Sequence, residues 1–313
     1  MAGKLSPDEL RKYIFPYRGA VRSEVLTGPG VGEDAAVIEN NGILWYISSD
    51  PIVGAVENIG SLLVDININD IAVKGGDPQY LMLTLLIPES MGLPYLEQIM
   101  KEIHEKALHY TIAIIGGHTE ITAAYTKPVI SATIIGSGSY RFSCDRVSLG
   151  DAVILIGDAA LEGVHILHSH DPDRFATLLT AEEQHTLRSF KNTLCVYPYT
   201  CLIRDHVLFM HDPTEGGIIG GVSELANLLP DKGIHLSDEI HYRPIVQKIT
   251  ASVGARPGNL ISSGALLALV AASSVHTVAD ILDSHSIPWQ QIGTIAEANN
   301  FVPDTSEELW KFI

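Results

Sequence analysis

The stretch HDPTEGG, beginning at His211, places two carboxylates and a hydroxyl directly before two glycines and an apolar helical pattern. The N–H groups at a helix start can bind phosphate, and glycines let a ligand approach the backbone closely. In that interpretation Thr214 receives phosphate, while Asp212 and Glu215 hold a metal ion or water. An Asp N-cap with a proline just inside the helix explains the same residues structurally, and the two interpretations are compatible.

The carboxylates of the first half lie where strands and helices are predicted to end. Glu33 and Asp34 follow a glycine-rich loop, and Asp50 ends a strand immediately before a proline. Glu120 follows the letters GGHT at the end of another strand. Small-molecule sites are usually built at such ends, and converging carboxylates need a cation such as Mg²⁺ to offset their repulsion. Taken singly, Asp34 and Asp50 are better explained as turn and cap residues.

Asp70 lies in a helix predicted from Asn58 to Lys74, whose apolar residues recur at helical spacing. Asn67, Asp70 and Lys74 fall at positions i, i+3 and i+7 and form a polar stripe on that helix. A solvated outer face is the simplest explanation of this stripe by itself. The helical pattern alone therefore does not assign Asp70 to a metal site.

The segment TGPGVGEDAA carries Gly28, Gly30 and Gly32 and could bring backbone N–H groups close to phosphates. No Lys-Ser or Lys-Thr pair follows, and the loop precedes a strand instead of joining a strand to a helix. It is therefore neither a Walker loop nor a dinucleotide fingerprint, and it is a weak signal in isolation.

The composition limits the classes of function. Among 313 residues, 37 Asp and Glu outnumber 20 Lys and Arg, which gives a formal net charge of −17. Such a surface repels nucleic acid and anionic lipid unless divalent metals stand between carboxylates and phosphates. No apolar run reaches the length of a membrane span, and the first residues lack the apolar core of a signal peptide. Three cysteines are too few for a disulfide framework, so we expect a cytoplasmic protein with reduced thiols.

Strand and helix patterns alternate along the whole chain, with short links between them. This alternation predicts an α/β or α+β fold and excludes a helical bundle. The pattern changes near SLGDAVILIG, which reads as the turn and first strand of a new unit. We therefore expect two domains, residues 1–147 and residues 148–313.

Seven segments, taken in order, resemble the AIR synthase superfamily: GVGEDAAVI, SSD, NINDIAVKGGDPQYL, IIGGHTEIT, GDAVILIGDAALEG, HDPTEGGI and NLISSGALLAL. The resemblance covers nearly the whole chain and is greatest to the hydrogenase maturation factor HypE and AIR-synthase-related proteins. It implies two α/β domains and a homodimer whose N-terminal strands form a shared barrel. It also implies ATP with Mg²⁺ in the cleft, under the glycine-rich segment.

The resemblance further implies roles for individual residues of this sequence. It assigns Asp34, Asp50 and Asp70 to the metal. It assigns to the nucleotide Gly30, Gly32, Asp34, Asn69, Gly117 and Thr119. It assigns to catalysis Asp212, Thr214, Glu215 and His118.

Two departures from these relatives bear on function. HypE-type proteins carry the reacting carbamoyl group on a C-terminal cysteine, whereas this sequence ends in EELWKFI and has no cysteine after Cys201. His118 stands where kinase relatives carry an Asp, and Glu120 and Glu215 stand where HypE relatives tend to carry Lys and Arg. We therefore do not expect the HypE reaction on a thiol of this chain, and we expect phosphate neutralisation to require a further metal.

The leading hypothesis is an ATP- and Mg²⁺-dependent enzyme that activates an oxygen of an amide, acid or phosphate by phosphoryl transfer. One alternative is a nucleotide-binding regulatory or assembly protein without turnover. The other is a small-molecule kinase similar to thiamine-monophosphate kinase, which His118 disfavours. The expected partners are a second copy of the chain, a small-molecule substrate and a maturation partner protein that supplies a thiol.

Overall fold

Six strands of the first half form one mixed sheet in a computed structural model that describes residues 5–52, 58–237, 239–298 and 304–313. The strands are β1 (Val25–Thr27), β2 (Ala36–Asn40), β3 (Ile43–Ile52), β4 (Asp77–Pro88), β5 (Ala113–Thr122) and β6 (Val129–Gly138). Their order is β1-β2-β3-β6-β4-β5, in which β4 and β5 pair in parallel and the other neighbours pair antiparallel. The dipeptide Asn41-Gly42, which favours tight hairpin turns, joins β2 to β3.

Helices pack on one face of this sheet. They are α2 (Ile59–Val73) and α3 (Gly92–His109), while the short α1 (Pro7–Glu9) precedes β1 along the chain and has no buried residue. A capping box begins α1, because the Ser6 side chain accepts the Glu9 N–H while the Glu9 side chain accepts the Ser6 N–H. Leu63 of α2 and Ile103 of α3 are fully buried against Leu81 of the sheet, so the longer helices and the sheet share one core.

Five strands of the second half form an antiparallel sheet in the order β8-β10-β7-β11-β9. The elements are β7 (Ala152–Ile156), α4 (Leu161–His170), α5 (Pro172–Phe175), α6 (Ala181–Ser189), α7 (Tyr197–Ile203), β8 (Phe209–His211), α8 (Gly217–Asn227), β9 (Lys232–Leu236), α9 (Pro244–Val253), β10 (Leu266–Val270), α10 (Val275–Ser284) and β11 (Trp289–Glu297). Every residue of β7 and β10 is buried, which explains their unbroken apolar sequence. Within the described ranges, no helix has the length and apolar character needed to span a bilayer.

The solvated outer face predicted for α2 is wrong. This helix contacts β3 and β6 on one side and α7 and β8 of the second half on another, so that nearly all of it is buried. Asp70 is 5% exposed and Lys74 is 3% exposed. The stripe is polar because Asn67, Asp70 and Lys74 meet polar partners of the first half inside the protein, not because they face water.

Two predicted element ends also differ from the structure. The helix after HDPTEGG begins at Gly217, so Asp212 is not its N-cap. Gly216, which is the N-cap, has a φ of 83°, and this left-handed conformation separates the loop from the helix. Asp50 lies inside β3 instead of at its end, because the strand pairs with β6 as far as Ile52.

Candidate functional site

Both halves of the chain contribute to one cavity of about 680 Å³. The glycine-rich loop, β3 and α2 line it from the first half, and the HDPTEGG loop, α4, α8 and Trp310 line it from the second. Its carboxylates are Glu33, Asp34, Asp50, Asp70, Glu162, Asp212, Glu215 and Glu224. No Lys or Arg is among the described residues that line the cavity, so a polyphosphate needs cations to bind there.

The three aspartates of the first half that the sequence assigns to a metal meet in this cavity. The Ser48 hydroxyl lies 2.6 Å from an Asp70 carboxylate oxygen and 3.0 Å from the Asp34 carbonyl oxygen. Burial raises the pKa of Asp70 well above its ordinary value, and the charges of Asp50 and Asp212 raise it further. Carboxylates that are distant in sequence therefore form one cluster whose mutual repulsion favours a proton or a cation.

Asn67 fixes the backbone of β3 at Asp50. Its amide oxygen accepts the Asp50 N–H at 3.1 Å, and its amide nitrogen donates to the Leu63 carbonyl oxygen at 2.8 Å. The side chain of Asn67 thus joins α2 to the strand that carries Asp50. Asn67 supports the aspartate cluster without lining the cavity.

His211 and Asp212 bring the second half to the same cluster. His211 Nδ1 lies 2.9 Å from a carboxylate oxygen of Asp34, and Nε2 lies 2.8 Å from a carboxylate oxygen of Glu224. Burial by itself lowers the pKa of His211, but the two carboxylates outweigh burial and raise this pKa to about 10. Burial and the Asp34 charge raise the pKa of Asp212 well above its ordinary value, while His211 acts in the opposite direction.

The donor set of this cluster fits a hard divalent cation such as Mg²⁺. Ligand atoms of Asp34, His211 and Asp212 lie within 4.8 Å of one another. Asp212 Oδ2 is buried and has no hydrogen-bond partner in the part of the chain that the structure describes. A buried carboxylate oxygen without a partner is costly, and a cation or a proton would satisfy it. Asp34, Asp50, Asp70 and Asp212 would hold the metal through carboxylate oxygens, the ligands that Mg²⁺ prefers.

The glycine-rich loop is held between α8 and a buried ion pair. Gly32 has a φ of 78°, and a Cβ at this position would lie 2.9 Å from the Glu224 backbone oxygen, so only glycine fits. Lys74 forms an ion pair with Glu33, and its ammonium group lies 4.5 Å from the centre of the Phe209 ring. The ammonium group of Lys74 is therefore committed to Glu33, a carboxylate of the loop itself.

Residues 304–313 cover the start of α8. The Glu307 carboxylate accepts the N–H groups of Gly216 at 2.7 Å, Leu309 at 2.8 Å and Ile261 at 3.3 Å. Leu309 is buried, and Trp310 next to it lines the cavity. The Gly216 N–H at the helix start, where the sequence suggested a phosphate, is therefore donated to a carboxylate of the same chain.

Glu162 is a cavity residue that the sequence did not single out. It is 5% exposed and accepts the Ser263 N–H at 3.3 Å. Burial raises its pKa to about 7, and the Glu307 and Glu215 charges act in the same direction against the hydrogen bonds from Ser263. A glutamate in the first turn of a helix is an ordinary feature, so the sequence carried no signal of this environment.

Family models match two adjacent parts of the chain. The model described as AIR synthase related protein, N-terminal domain, matches residues 32–137, and the corresponding C-terminal domain matches residues 149–304. The chain belongs to the AIR synthase related family. Strands β2 to β6 lie in the first match and β7 to β11 in the second, so the two-domain α/β architecture of the family is present.

Two relatives resemble the chain over most of its length. A hydrogenase expression/formation protein of Methanocaldococcus jannaschii is 30% identical over 76% of this chain and 69% of its own. The carbamoyl dehydratase HypE of Rhizobium leguminosarum bv. viciae is 28% identical over 78% of this chain and 70% of its own.

Two solved structures share the fold of this family. A chain of the HypE–HypF complex has a TM-score of 0.71 and 19% identity, and the match covers 86% of this chain and 88% of that one. The hydrogenase maturation protein HypE in complex with ATP has a TM-score of 0.66 and 20% identity, and the match covers 93% of this chain and 84% of that one.

Not every residue assigned through the AIR synthase resemblance reaches the cavity. Gly30, Gly32, Asp34, Asp50, Asp70, Asp212, Thr214 and Glu215 all line it. Gly117, His118 and Thr119 do not, because β5 is the edge strand of the first sheet and all three are exposed there. The His118 side chain is 65% exposed, and its Nε2 lies 3.3 Å from a carboxylate oxygen of Glu120.

Asn69 is placed at the contact between the two halves instead of in the cavity. Its amide nitrogen donates to the Leu194 carbonyl oxygen and its amide oxygen accepts the Val196 N–H, both at 2.8 Å. Both ends of the amide are therefore used within the protein, and Asn69 is fully buried. The assignment of Asn69 to the nucleotide does not agree with this geometry.

Proposed function

We propose that this protein is an ATP- and Mg²⁺-dependent enzyme that transfers a phosphoryl group to an oxygen of a small acceptor, such as an amide, an acid or a phosphate. The observation that carries the proposal is the convergence of Asp34, Asp50, Asp70 and Asp212, from both halves, in a cavity lined by no described Lys or Arg. Phosphoryl transfer needs positioning and charge neutralisation above all, and Mg²⁺ bound by these carboxylates would supply the neutralisation. The relative solved with ATP supports the choice of nucleotide.

The remaining residues of the cavity suggest how the acceptor is handled. Thr214 and Glu215 line the cavity close to Asp212 in sequence, where the Thr214 hydroxyl can donate to a phosphate oxygen. Glu162 has a pKa of about 7, which suits a group that accepts a proton from the acceptor near neutral pH. His118 lies outside the cavity of the single chain, so a catalytic role for it depends on a partner.

The position of the cysteines favours an acceptor that is not part of this chain. Cys144, Cys195 and Cys201 are free thiols, and none of them is among the described residues that line the cavity. Burial raises the pKa of Cys195 to about 12, which keeps this thiol unreactive. The acceptor oxygen would then belong either to a small molecule or to a group carried on a thiol of a maturation partner. The HypE–HypF structure supports the existence of a partner protein. Free thiols also suit the cytoplasm.

A homodimer is the second part of the proposal. β5 is an edge strand, and it exposes Ile115 and Ile121 together with Tyr80 and Met82 on the neighbouring β4. Unpaired edges with apolar side chains favour association with another strand. The exposed face of this sheet is therefore the surface that we expect a second copy to cover.

Calorimetric titration with the ATP analogue AMP-PNP, in Mg²⁺ and then in EDTA, tests the binding half of the proposal. Binding should be strong with Mg²⁺ and be lost in EDTA, and equal binding in both would contradict the carboxylate site. Turnover is tested by ADP release with MgATP and a panel of amides, acids and phosphates. ADP release with none of them, despite tight binding, would favour the alternative of a regulatory nucleotide-binding protein.

A further inference from the structure

His211 connects three elements that come from both halves of the chain. It is the last residue of β8 and is 2% exposed. Its Nδ1 faces the Asp34 carboxylate, which follows the glycine-rich loop, and its Nε2 faces the Glu224 carboxylate, which projects from α8. The contacts measure 2.9 and 2.8 Å, so both are hydrogen bonds of ordinary length.

The chemistry of these two contacts decides what the imidazole can do. Each ring nitrogen of His211 lies within hydrogen-bond distance of a carboxylate oxygen. A nitrogen that is turned toward a carboxylate in this way offers no free position to a metal. His211 therefore does not serve as a metal ligand while both contacts are formed, although it lies in the same compact group as Asp34 and Asp212.

The same contacts restrict the carboxylate of Asp34. Both of its oxygens lie 2.9 Å from His211 Nδ1, and Gly32, two residues before it, lies so close to the Glu224 carbonyl oxygen that no side chain would fit there. Glu224 thus contacts this arrangement twice, through its side chain to His211 and through its backbone to the loop. The orientation of the whole Asp34 carboxylate is consequently set by its contacts with β8 and α8 of the other half.

We propose that His211 is a positioning residue, which orients the Asp34 carboxylate toward a divalent cation and is itself oriented by Glu224. This inference rests on the proposed function, because it concerns the aspartate cluster assigned there to Mg²⁺. Hydrogen bonds to metal-ligating side chains typically change metal affinity by about 10- to 100-fold when they are removed. We expect an effect in that range when the contact between His211 and Asp34 is lost.

Two substitutions at the same position separate the two contacts. His211→Asn keeps an N–H donor near the place of Nδ1, facing Asp34, whereas His211→Gln keeps a donor near the place of Nε2, facing Glu224. The measurement is the Mg²⁺ concentration that gives half-maximal binding of AMP-PNP by calorimetry. It should rise about 10- to 100-fold in His211→Gln and by less than about threefold in His211→Asn. Thermal unfolding in EDTA checks that each variant is folded.

Glu224→Gln keeps the inference testable if both histidine variants unfold. The glutamine oxygen can still accept from Nε2, but it carries no charge, so a smaller shift in the same direction is expected. A Mg²⁺ requirement that is unchanged in folded His211→Gln, or unchanged in Glu224→Gln, overturns the positioning role. Equal losses in folded His211→Asn and His211→Gln overturn it as well. If the wild-type protein binds AMP-PNP equally in Mg²⁺ and EDTA, the proposed function fails instead.

Discussion

Replacement of Glu162 by glutamine should stabilise the metal-free protein at alkaline pH. The carboxyl is 5% exposed, and burial raises its pKa from 4.5 to about 7. Between these values the folded protein binds more protons than the unfolded chain, so stability falls as pH rises through this window. Above this pH window the folded protein carries the full cost of burying the ionised Glu162 carboxylate. The difference between the two pKa values corresponds to a loss of roughly 3 kcal/mol in the free energy of unfolding.

Glutamine is a suitable replacement because it is nearly isosteric and carries no charge at any pH. Its amide oxygen can accept the Ser263 N–H, and it places no negative charge near Glu215 and Glu307, whose charges raise the pKa of Glu162. We expect the free energy of unfolding of Glu162→Gln to exceed that of wild type by about 1–3 kcal/mol at pH 8.5. At pH 4.5 this gain in the free energy of unfolding should shrink to about 0.5 kcal/mol or less.

Urea denaturation followed by circular dichroism in EDTA at the two pH values measures this difference. Glu105→Gln is the matched control, because Glu105 is exposed on α3 and its replacement should change stability little at either pH. A gain of the same size at pH 4.5 and pH 8.5 would show that charge is not its cause. A loss of stability at pH 8.5 would show that the carboxylate is paired in the folded protein, and the reasoning would then be refuted.

Three further predictions follow from contacts in the structure. Asp70→Asn should raise the melting temperature of the metal-free protein in scanning fluorimetry, because burial and neighbouring carboxylates destabilise the Asp70 charge, and a lower melting temperature contradicts this. The same variant should lose Mg²⁺-dependent AMP-PNP binding. Asn69→Ala should cost about 2–4 kcal/mol in urea denaturation, since it leaves two backbone groups, at Leu194 and Val196, without partners; a change under about 0.5 kcal/mol would be inconsistent with those hydrogen bonds. Ile115→Lys on β5 should convert the expected dimer to monomer in sedimentation velocity, and an unchanged dimer would place the interface elsewhere.

The sequence predicted most of the elements because their signals are local. The Ser6–Glu9 capping box and the Asn41-Gly42 turn depend on neighbouring residues, and the structure contains both. The aspartates of the cavity were predicted only through the order of several short motifs, which resembles a known superfamily. Asp34, Asp50 and Asp212 alone were compatible with turn and cap residues, and Asp70 alone with a solvated helix face.

The features that the sequence did not predict depend on contacts between distant residues. Periodicity treated the polar stripe of α2 as solvated, since it cannot report that Asp70 meets Ser48 or that Lys74 meets Glu33. The spacing of residues likewise does not reveal that His211 joins Asp34 to Glu224, or that Glu307 reaches the start of α8. Strand and helix patterns describe which face of an element is apolar, but they carry no information about which element covers it.

The burial of α2 between the two halves has a consequence for how the protein unfolds. Val73 at its end packs in an apolar cluster with Val196 and Met210 of the second half, while Cys195 of the second half packs in the core of the first. Each half thus contributes a side chain to the core of the other, and neither core is complete when the halves separate. Calorimetry should accordingly show a single cooperative transition for the whole chain, and residues 1–147 produced alone should lack a stable fold.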